Sequence, residues 1–399
     1  MWLAFEVNLL VQLQKGLVTY DILQVTSKGL ILALLRLKIK HITMKIFITC
    51  ICGFVGSTLA RYLIESDASY EVFGIDNFVR PGSWLNKSVL EKNGIKVFHG
   101  DIRLASDLEV IPKVDWVIDA AANPSVLAGV DGKTSSLQLV QNNLLSTVNL
   151  LEYCKKHQAG FILLSTSRVY SIPGLSGLKM QVQNNVFVPD ANQEFPLGIS
   201  SAGVSEQYST NAPISLYGST KLASEQLALE YGITYNFPVW INRCGVMAGP
   251  RQFGHPGQGI FAYWIHSFKE KRPLKYIGFG GSGFQVRDCL HPKDLISLFQ
   301  KQFNEPLNTN KPKVMNISGG LKSTMSLAQL SVWCQKRFGS TIVEQTNTER
   351  PFDIPWMVLD AQKANQVWNW EAMTSIEQIL EEIAAFAETQ KDWCALSAS

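Results

Sequence analysis

The sequence predicts an α/β fold, in which a doubly wound parallel sheet is joined to a smaller, discontinuous C-terminal lobe. Two observations support this fold class. Short runs of β-branched and aromatic residues alternate with helical patterns, an order typical of parallel strands joined by right-handed crossovers. The first of these runs leads through a glycine-containing turn directly into a helical pattern, which is the setting of a dinucleotide-binding fingerprint.

Seven runs have the composition of strands, and helical patterns lie between and after them. Residues 170–215, which are rich in Ser, Gly, Asn and Pro, are predicted to loop over a site. The predicted strands are residues 45–49, 70–75, 95–100, 115–119, 160–164, 238–243 and 314–317, and the predicted helices are residues 58–66, about 135–157, 326–338 and 376–387, with further helices from Lys221 and Asp294.

The turn after the first strand reads Cys-Ile-Cys-Gly-Phe-Val-Gly-Ser over residues 50–57. Gly53 would let the backbone approach a pyrophosphate, and Gly56 would let the helix pack closely on the strand. The helix N-terminus would offer its amides to phosphate, and Phe54 and Val55 in the turn before it are further candidates for cofactor binding. Cys50 stands where the first glycine of the fingerprint belongs, so it either takes a different turn or weakens cofactor binding.

The ends of the next strands carry residues suited to a dinucleotide. Asp76-Asn77 follows the second strand about 20 positions beyond the fingerprint, where a carboxylate accepts hydrogen bonds from an adenosine ribose. Its charge would repel a 2′-phosphate, which favours NAD over NADP. Asp101-Ile102 ends the third strand, and the fourth runs into small residues at 120–125 that leave room for a flat ligand.

Tyr217 and Lys221 are four residues apart at the start of a run of helix formers. Residues at this spacing share one face of a helix. A lysine beside a tyrosine favours the phenolate and lowers the tyrosine pKa, which gives a base that works near neutral pH. A Tyr and a Lys at this spacing are more often a surface pair, so the interpretation depends on the nucleotide-binding half that precedes them.

Composition and charge narrow the class of protein. The net charge of +3 is too small to indicate a nucleic-acid or membrane surface. Seven scattered cysteines without a Cys-x-x-Cys pair are typical of free thiols in a reducing cytoplasm, and His255, His266 and His291 have no metal-ligand spacing. We therefore expect a cytoplasmic protein without a metal site.

The first 43 residues differ in character from the rest of the chain. Their longest uncharged apolar run is too short to span a bilayer, so no stable membrane insertion is expected. The basic, leucine-rich residues 28–40 are compatible with an amphipathic helix at a membrane surface. We expect the functional chain to start at Met44 and residues 1–43 to be an extension outside the fold.

From Met44 onward the chain resembles an extended short-chain dehydrogenase/reductase of the nucleotide-sugar epimerase/dehydratase family. The matching motifs occur in the family's order over roughly residues 44–385. They are the glycine turn at Gly53/Gly56, Asp76-Asn77, Asp101-Ile102, the Ala121–Ser125 run, Asn143, Thr166 before Val169-Tyr170, and Tyr217 with Lys221.

The resemblance implies an enzyme that binds NAD and a CDP- or UDP-sugar, in the metabolism that supplies cell-surface polysaccharides. Thr166 would hydrogen-bond the reacting oxygen, Tyr217 would be the base, and Lys221 would hold the nicotinamide ribose. The family's pairing through the helices that carry Asn143 and Lys221 implies a homodimer or homotetramer. Further cofactor contacts are implied at Asn143, Ala121 and Ala122, and substrate contacts at Asn123 and Ser125.

The residues after Thr166 help to choose within the family. In the family's 4,6-dehydratases the corresponding residue is followed by Asp-Glu, the acid and base that eliminate water. This chain has Ser167-Arg168 instead, and dehydration would lack its proton carriers. An epimerase is therefore the better match.

The C-terminal lobe carries arginines suited to a diphosphate, because a guanidinium binds phosphate oxygens in a bidentate manner. Arg251, Arg287 and Arg350 are the candidates, and an ordinary ion pair is the alternative for each. The residues around Arg251, with Gln252 and Gln258, and the string Gln-Val-Arg-Asp at 285–288 are most similar to the CDP-paratose (CDP-tyvelose) 2-epimerase branch.

The sequence thus predicts a mainly NAD-binding Rossmann domain over residues 44–245. A mainly sugar-nucleotide-binding lobe comes after it over 246–390, with some segments returning to the sheet. A UDP-glucose 4-epimerase-like enzyme and a simple sugar-nucleotide reductase are alternatives within enzymes. A non-catalytic nucleotide-binding protein is the rival from another class: Cys50 favours it, whereas the presence of Thr166, Tyr217 and Lys221 opposes it.

Overall fold

The computed structural model describes residues 18–21, 36–39, 43–132 and 134–398. Within the N-terminal extension, strands β1 (Val18–Asp21) and β2 (Arg36–Ile39) pair antiparallel in a sheet of their own. The helix considered for residues 28–40 is therefore wrong at residues 36–39, where charged and apolar side chains alternate with the period of a strand. The other residues of that stretch, and most of residues 1–43, lie outside the described residues.

A seven-stranded sheet in which all neighbouring strands are parallel forms the centre of the molecule and confirms the predicted doubly wound architecture. All seven predicted strands belong to it. In the order of the sheet they are β16 (Val314–Ile317), β12 (Val239–Cys244), β7 (Gly160–Thr166), β6 (Trp116–Asp119), β3 (Met44–Thr49), β4 (Tyr70–Asp76) and β5 (Lys96–His99), numbered along the chain.

The strand order reverses between β3 and β6, because β4 and β5 continue to one side and β7, β12 and β16 to the other. In open parallel sheets, ligands bind at such a switch point, beyond the carboxyl ends of the strands. The sheet is buried on both faces: Ile46 and Ile48 pack in one apolar cluster, and Phe47 packs in the other. Strands buried in this way are recognisable as continuous apolar runs, and the sequence pattern therefore predicted them.

Helices cover both faces of the sheet. One face packs against α1 and α8, and the other against α4 and α6. The helices are α1 (Phe54–Ser66), α2 (Trp84–Lys92), α3 (Ser136–Val140), α4 (Ser146–His157), α5 (Ile172–Ser176), α6 (Ser215–Tyr235), α7 (Ile260–Lys269), α8 (Leu295–Phe303), α9 (Leu327–Phe338), α10 (Gln362–Trp368), α11 (Ile376–Thr389) and α12 (Trp393–Ala398).

The predicted helix over 135–157 is interrupted, since a π-helical turn, Gln141–Leu145, separates α3 from α4 and carries Asn143. Residues 170–215 are not loop alone. They contain α5, a hairpin of β8 (Met180–Gln183) with β9 (Val186–Pro189), and a second pair, β10 (Ile199–Ser200) with β11 (Gly203–Val204).

The C-terminal lobe has its own small sheets. β15 (Val286–Leu290) pairs with β13 (Val246–Met247), β17 (Thr324–Ser326) and β19 (Trp356–Met357), while β14 (Leu274–Tyr276) pairs with β18 (Val343–Gln345). Helices α7, α9 and α11 contribute to its apolar core. Between these elements the chain returns to the main sheet through α8 and β16. No helix in the described part of the chain combines the length and apolarity needed to cross a bilayer.

Candidate active site

A cavity of about 750 Å³ lies at the carboxyl ends of the main-sheet strands and is closed on its other side by the C-terminal lobe. Its size is within the range of small-molecule sites. Of the predicted site residues, it is lined by Gly53, Phe54, Val55, Gly56, Asp76, Asn77, Asp101, Ile102, Ala121, Ala122, Asn123, Thr166, Tyr217, Gln252, Gln258, Arg287 and Arg350.

Cys50 adopts the left-handed backbone conformation that a glycine would take, with φ of 51°. Its carbonyl oxygen accepts a hydrogen bond of 2.9 Å from the Gly53 amide, which closes the turn. A Cβ on Gly56 would lie 2.3 Å from the same carbonyl oxygen, so the helix can approach the strand only because residue 56 is glycine. Burial and the charge of Asp76 raise the pKa of the Cys50 thiol, which stays neutral. The turn therefore keeps a glycine-like backbone at Cys50 and a close approach of the helix at Gly56.

Asp76 connects the glycine turn to the end of β4. Its carboxylate accepts hydrogen bonds from the Cys52 amide at 2.9 Å and the Phe78 amide at 2.8 Å, while burial raises its pKa. The neighbouring Asn77 donates to Asp101 at 3.1 Å. Hydrogen bonds from Arg103 lower the Asp101 pKa to about 2, so this carboxylate is ionised at neutral pH.

The backbone of the small residues after β6 is hydrogen-bonded by the side chains of Thr49 and Asn143. The Thr49 hydroxyl accepts hydrogen bonds from the amides of Ala120 and Ala121 at 3.0 and 3.1 Å. Asn143 does not line the cavity. Its side chain accepts from the Asn123 amide at 2.7 Å and donates to the Asn123 carbonyl at 3.1 Å, so it fixes the backbone of this segment.

Ser125 also lies outside the cavity lining. Its hydroxyl accepts a hydrogen bond of 3.3 Å from the Leu127 amide, and its own amide donates to the Asn123 side chain at 3.2 Å. These contacts are those of a local turn. The predicted substrate contact at Ser125 has no support from its placement.

Tyr217 lies in the first turn of α6 and lines the cavity together with Thr166. Burial raises the Tyr217 pKa to about 12, against the opposing effects of the Thr166 hydrogen bond and the Arg168 charge. The predicted direction is therefore reversed, because removal of the phenol from water outweighs the nearby positive charge.

Lys221 is buried one turn further along α6 and does not line the cavity. Burial lowers its pKa, and the negative charges of Asp119 and Glu225 oppose that effect. Glu225 is in turn paired with Arg243 at 2.7 Å. Lys221 is thus held among carboxylates beneath the site rather than in the open cleft.

The three predicted phosphate-binding arginines have different surroundings. Arg287 lines the cavity but pairs with Asp353 at 2.9 Å and donates to the Ile354 carbonyl at 2.8 Å. Arg350 lines the cavity near this pair. Arg251 does not line it, because its guanidinium lies 5.3 Å from the centre of the Phe386 ring in α11.

Gln252 and Gln258 bring the segment after β13 to the mouth of the cavity. The Gln252 side chain donates to the Met247 carbonyl at 3.0 Å. The Gln258 side chain accepts from Arg80 at 3.3 Å, and Arg80 also donates to the Phe253 carbonyl. Arg80 thereby links the two lobes across the cleft. Sequence reasoning missed Arg80, whose loop after β4 has no motif.

Arg168 is the second cavity residue that sequence reasoning missed. Its guanidinium donates to the Phe352 carbonyl at 3.2 Å. Burial, followed by the charge of Arg287, lowers its pKa to about 9. A signal was present, since Arg168 stands two residues after Thr166, where the dehydratase pattern has a carboxylate. The cation that replaces this carboxylate is thus visible in the sequence.

The described residues contain no cluster of His, Cys, Asp and Glu side chains that could hold a metal ion. A doubly wound sheet with a glycine turn at its switch point, and a cleft there lined by Tyr217 and Thr166, are the features of a dinucleotide-dependent enzyme. A model of the NAD dependent epimerase/dehydratase family matches residues 46–318, and the chain belongs to this family. Its cofactor is NAD, as the sequence predicted.

Individual relatives differ in substrate. The chain is 30% identical over 297 residues to the CDP-paratose 2-epimerase of Salmonella typhi, which covers 72% of this chain and 82% of that protein. It is 25% identical over 345 residues to the UDP-glucuronate 4-epimerase of Thermodesulfobacterium geofontis. This match covers 83% of this chain and 92% of that protein. The UDP-glucuronic acid 4-epimerase from Bacillus cereus, solved with UDP-glucuronic acid and NAD, matches with a TM-score of 0.67 and 28% identity over 87% of this chain and 99% of that chain.

Proposed function

We propose that this chain is a nucleotide-sugar epimerase that inverts one sugar carbon through transient oxidation to a keto-sugar, most like a CDP-paratose 2-epimerase. The observation that carries the proposal is that Tyr217 and Thr166 line the same cleft, and that Thr166 is followed by Ser167-Arg168 instead of two carboxylates. Such a site has a base for a hydroxyl proton but lacks the proton carriers of dehydration.

Tyr217, as phenolate, takes the proton from a sugar hydroxyl, while the carbon that bears this hydroxyl loses its hydride. NAD, when bound, accepts that hydride and later returns it. Thr166 hydrogen-bonds the reacting oxygen and holds it beside Tyr217. The keto-sugar then turns its other face to the cofactor, regains the hydride and takes the proton back from Tyr217. The configuration is inverted and no net oxidation occurs.

Other residues that line or surround the cleft would hold NAD and the sugar nucleotide. The amides of Phe54 and Val55 and the close turn at Gly53 and Gly56 suit a pyrophosphate. Asp76 suits the adenosine ribose, and Lys221 the nicotinamide ribose. Arg287 and Arg350 are proposed for the substrate diphosphate. The proposed protein is a cytoplasmic homodimer or homotetramer.

The position of inversion has two candidates. The relative that is 30% identical favours C2 of a CDP-sugar, and this identity is our reason for preferring it. The structural neighbour at 28% identity favours C4 of a UDP-sugar. Inversion at C2 would interconvert CDP-paratose and CDP-tyvelose, whereas inversion at C4 would interconvert gluco and galacto sugars.

The test begins with cofactor content. The full chain is purified and denatured, and the supernatant is assayed for NAD. We expect one NAD per chain, because a closed redox cycle needs a retained cofactor, whereas a reductase exchanges it at each turnover. Protein with no NAD, and none taken up on addition, would favour a non-catalytic or defective protein.

Substrate identity is tested next on the same preparation. CDP-paratose, UDP-glucose and UDP-glucuronic acid are incubated separately with the protein, and the products are followed by proton NMR. We expect epimerisation of CDP-paratose. Epimerisation of a UDP-sugar alone would replace this assignment by the 4-epimerase, and loss of water from any of them would overturn the epimerase proposal.

A further inference from the structure

A loop of the C-terminal lobe, residues 252–259, is joined to the loop after β4 through Arg80. This arginine lies between β4 and α2, shortly after Asp76. Its guanidinium donates to the Phe253 carbonyl and, at 3.3 Å, to the Gln258 side chain. One side chain from the loop after β4 therefore binds residues 252–259 near both of their ends. We call residues 252–259 the strap.

Apolar packing supports the same junction. Gly82 has a φ of 84°, and a Cβ there would lie 2.5 Å from the Phe253 ring, so the two loops meet closely only because residue 82 is glycine. The Phe253 ring also stacks on Trp393 of α12, with ring centres 4.8 Å apart. Trp393 donates to the Gln252 carbonyl at 2.9 Å. The strap is thus held by the loop after β4 and by the C-terminal helix α12.

The strap and the loop after β4 line the same cavity as Asp76. The cavity-lining residues are 79–81 in that loop and 252, 253 and 256–259 in the strap. The strap is itself a closed turn, because the backbones of His255 and Gln258 exchange hydrogen bonds of 2.8 and 2.9 Å. The junction is therefore an ordered part of the cavity wall at the end of the cleft where Asp76 lies.

We propose that Arg80 and the strap form a latch at the cofactor end of the cleft, which opens before NAD enters or leaves. With its adenosine ribose at Asp76, as proposed above, NAD would lie beside this part of the wall. Arg80 is then a positioning residue that fixes the strap. The inference rests on the NAD cofactor of the family and goes beyond the proposed function, which needs retained NAD but names no group that retains it.

The latch differs from a direct contact with NAD in its effect on the two rates of exchange. Both partners of the latch belong to the protein, so an intact latch slows the entry and the release of NAD alike. A side chain that binds NAD itself slows mainly the release. Loss of the latch therefore speeds both rates, whereas loss of a direct contact speeds release and weakens binding.

The test measures NAD exchange with the full-length holoprotein. Protein loaded with radiolabelled NAD is diluted into excess unlabelled NAD, which gives the release rate. Equilibrium dialysis gives the dissociation constant, and the two values together give the entry rate. In Arg80→Met we expect release to be about tenfold faster or more, as on loss of hydrogen bonds to a charged group. We expect the dissociation constant to stay within about threefold of that of the unaltered protein, so that entry is faster by a similar factor.

Two further variants sharpen the result. Gln258→Leu removes a partner of Arg80 from the other side of the cleft, and we expect both rates to rise by a smaller factor because the Phe253 carbonyl remains. Arg337→Met is the matched control. It removes a half-exposed arginine that pairs with Glu388 at 2.6 Å and does not line the cavity, so both rates should be unchanged.

Two outcomes in Arg80→Met would overturn the proposal. They are an unchanged release rate, and faster release without faster entry, which would make Arg80 a direct contact of NAD. If Arg80→Met does not fold, the same two outcomes in Gln258→Leu decide the point. No sugar nucleotide is present in these measurements, so a protein that exchanges NAD as expected but epimerises no sugar would refute the proposed function alone.

Discussion

The two ends of the cleft are built by different means. At the cofactor end, a turn of main-chain atoms from Cys50 to Gly56 is closed by local hydrogen bonds and tied to Asp76. At the sugar end, side chains from separate parts of the chain meet, with Arg168 after β7, Arg287 on β15, and Arg350 and Asp353 before β19. The difference shows that one end of the cleft is built from a few consecutive residues, whereas the other end depends on how the lobes fold together.

The largest expected effect is on the reaction rate, from a change at the sugar end that leaves the cofactor end unaltered. Tyr217→Phe removes the phenol that takes the hydroxyl proton, and we expect kcat to fall by about 10²–10⁴-fold, as on loss of a general base. NAD content should equal that of the unaltered protein because the glycine turn is unchanged. Retained turnover in this variant would refute the role of Tyr217 as base.

A steric change at the cofactor end should instead decrease the amount of NAD that the protein retains. In Gly56→Ala the new Cβ would lie 2.3 Å from the Cys50 carbonyl oxygen and 2.8 Å from the Ile51 Cα. Neither atom can move without shifting the turn, so we expect loss of retained NAD and a decrease of about 1–3 kcal/mol in the free energy of unfolding. NAD release after denaturation and a urea unfolding curve measure both. Normal NAD content would contradict the predicted shape of the turn.

Gly218→Ala is the matched variant for the sugar end. Its Cβ would also lie 2.3 Å from a main-chain oxygen, in this case that of Arg168. We expect it to retain NAD but to lower kcat by about tenfold, because displacing the Arg168 turn by a fraction of an ångström disturbs the alignment of Thr166 and Tyr217. The comparison fails if both alanine variants lose NAD to the same extent.

The smallest expected effect concerns Cys50. Its left-handed conformation costs an ordinary residue about 1–2 kcal/mol, whereas glycine adopts it without strain but loses more entropy on folding. We expect Cys50→Gly to raise the free energy of unfolding by less than about 1 kcal/mol and to preserve NAD binding. Cys50→Ala is the control because it keeps the strain. Equal stability of the two variants would show that the turn is not strained.

The sequence predicted the features that depend on neighbouring residues. The central strands β3, β6 and β7 are largely buried apolar runs because both faces of the sheet are covered there, and the Tyr217–Lys221 spacing follows from helix geometry. Arg251 shows the limit. Its guanidinium is a group that suits phosphate. However, the backbone at Arg251 has a φ of 67°, and the guanidinium lies over the ring of Phe386, which is 135 positions away in the sequence. Contacts of this kind depend on tertiary packing and leave no local pattern.

The direction of the Tyr217 pKa was wrong for a similar reason. A pair of residues four apart on a helix indicates which groups are near each other, but not how much water remains around them. Here the phenol is buried, and its surroundings raise the pKa to about 12 despite a nearby cation. The cation that acts on it comes from the turn after β7, about 50 residues earlier in the chain.

The edge strand β16 has a consequence for how the protein is made. β16 pairs with β12, and its Asn316 accepts a hydrogen bond of 2.7 Å from Tyr170, so it belongs to the main sheet although it comes after much of the C-terminal lobe. On the ribosome, the sheet therefore stays incomplete until the chain has been synthesised beyond residue 317. The nascent polypeptide exposes the β12 edge until then, and unpaired strand edges are where partly folded chains associate.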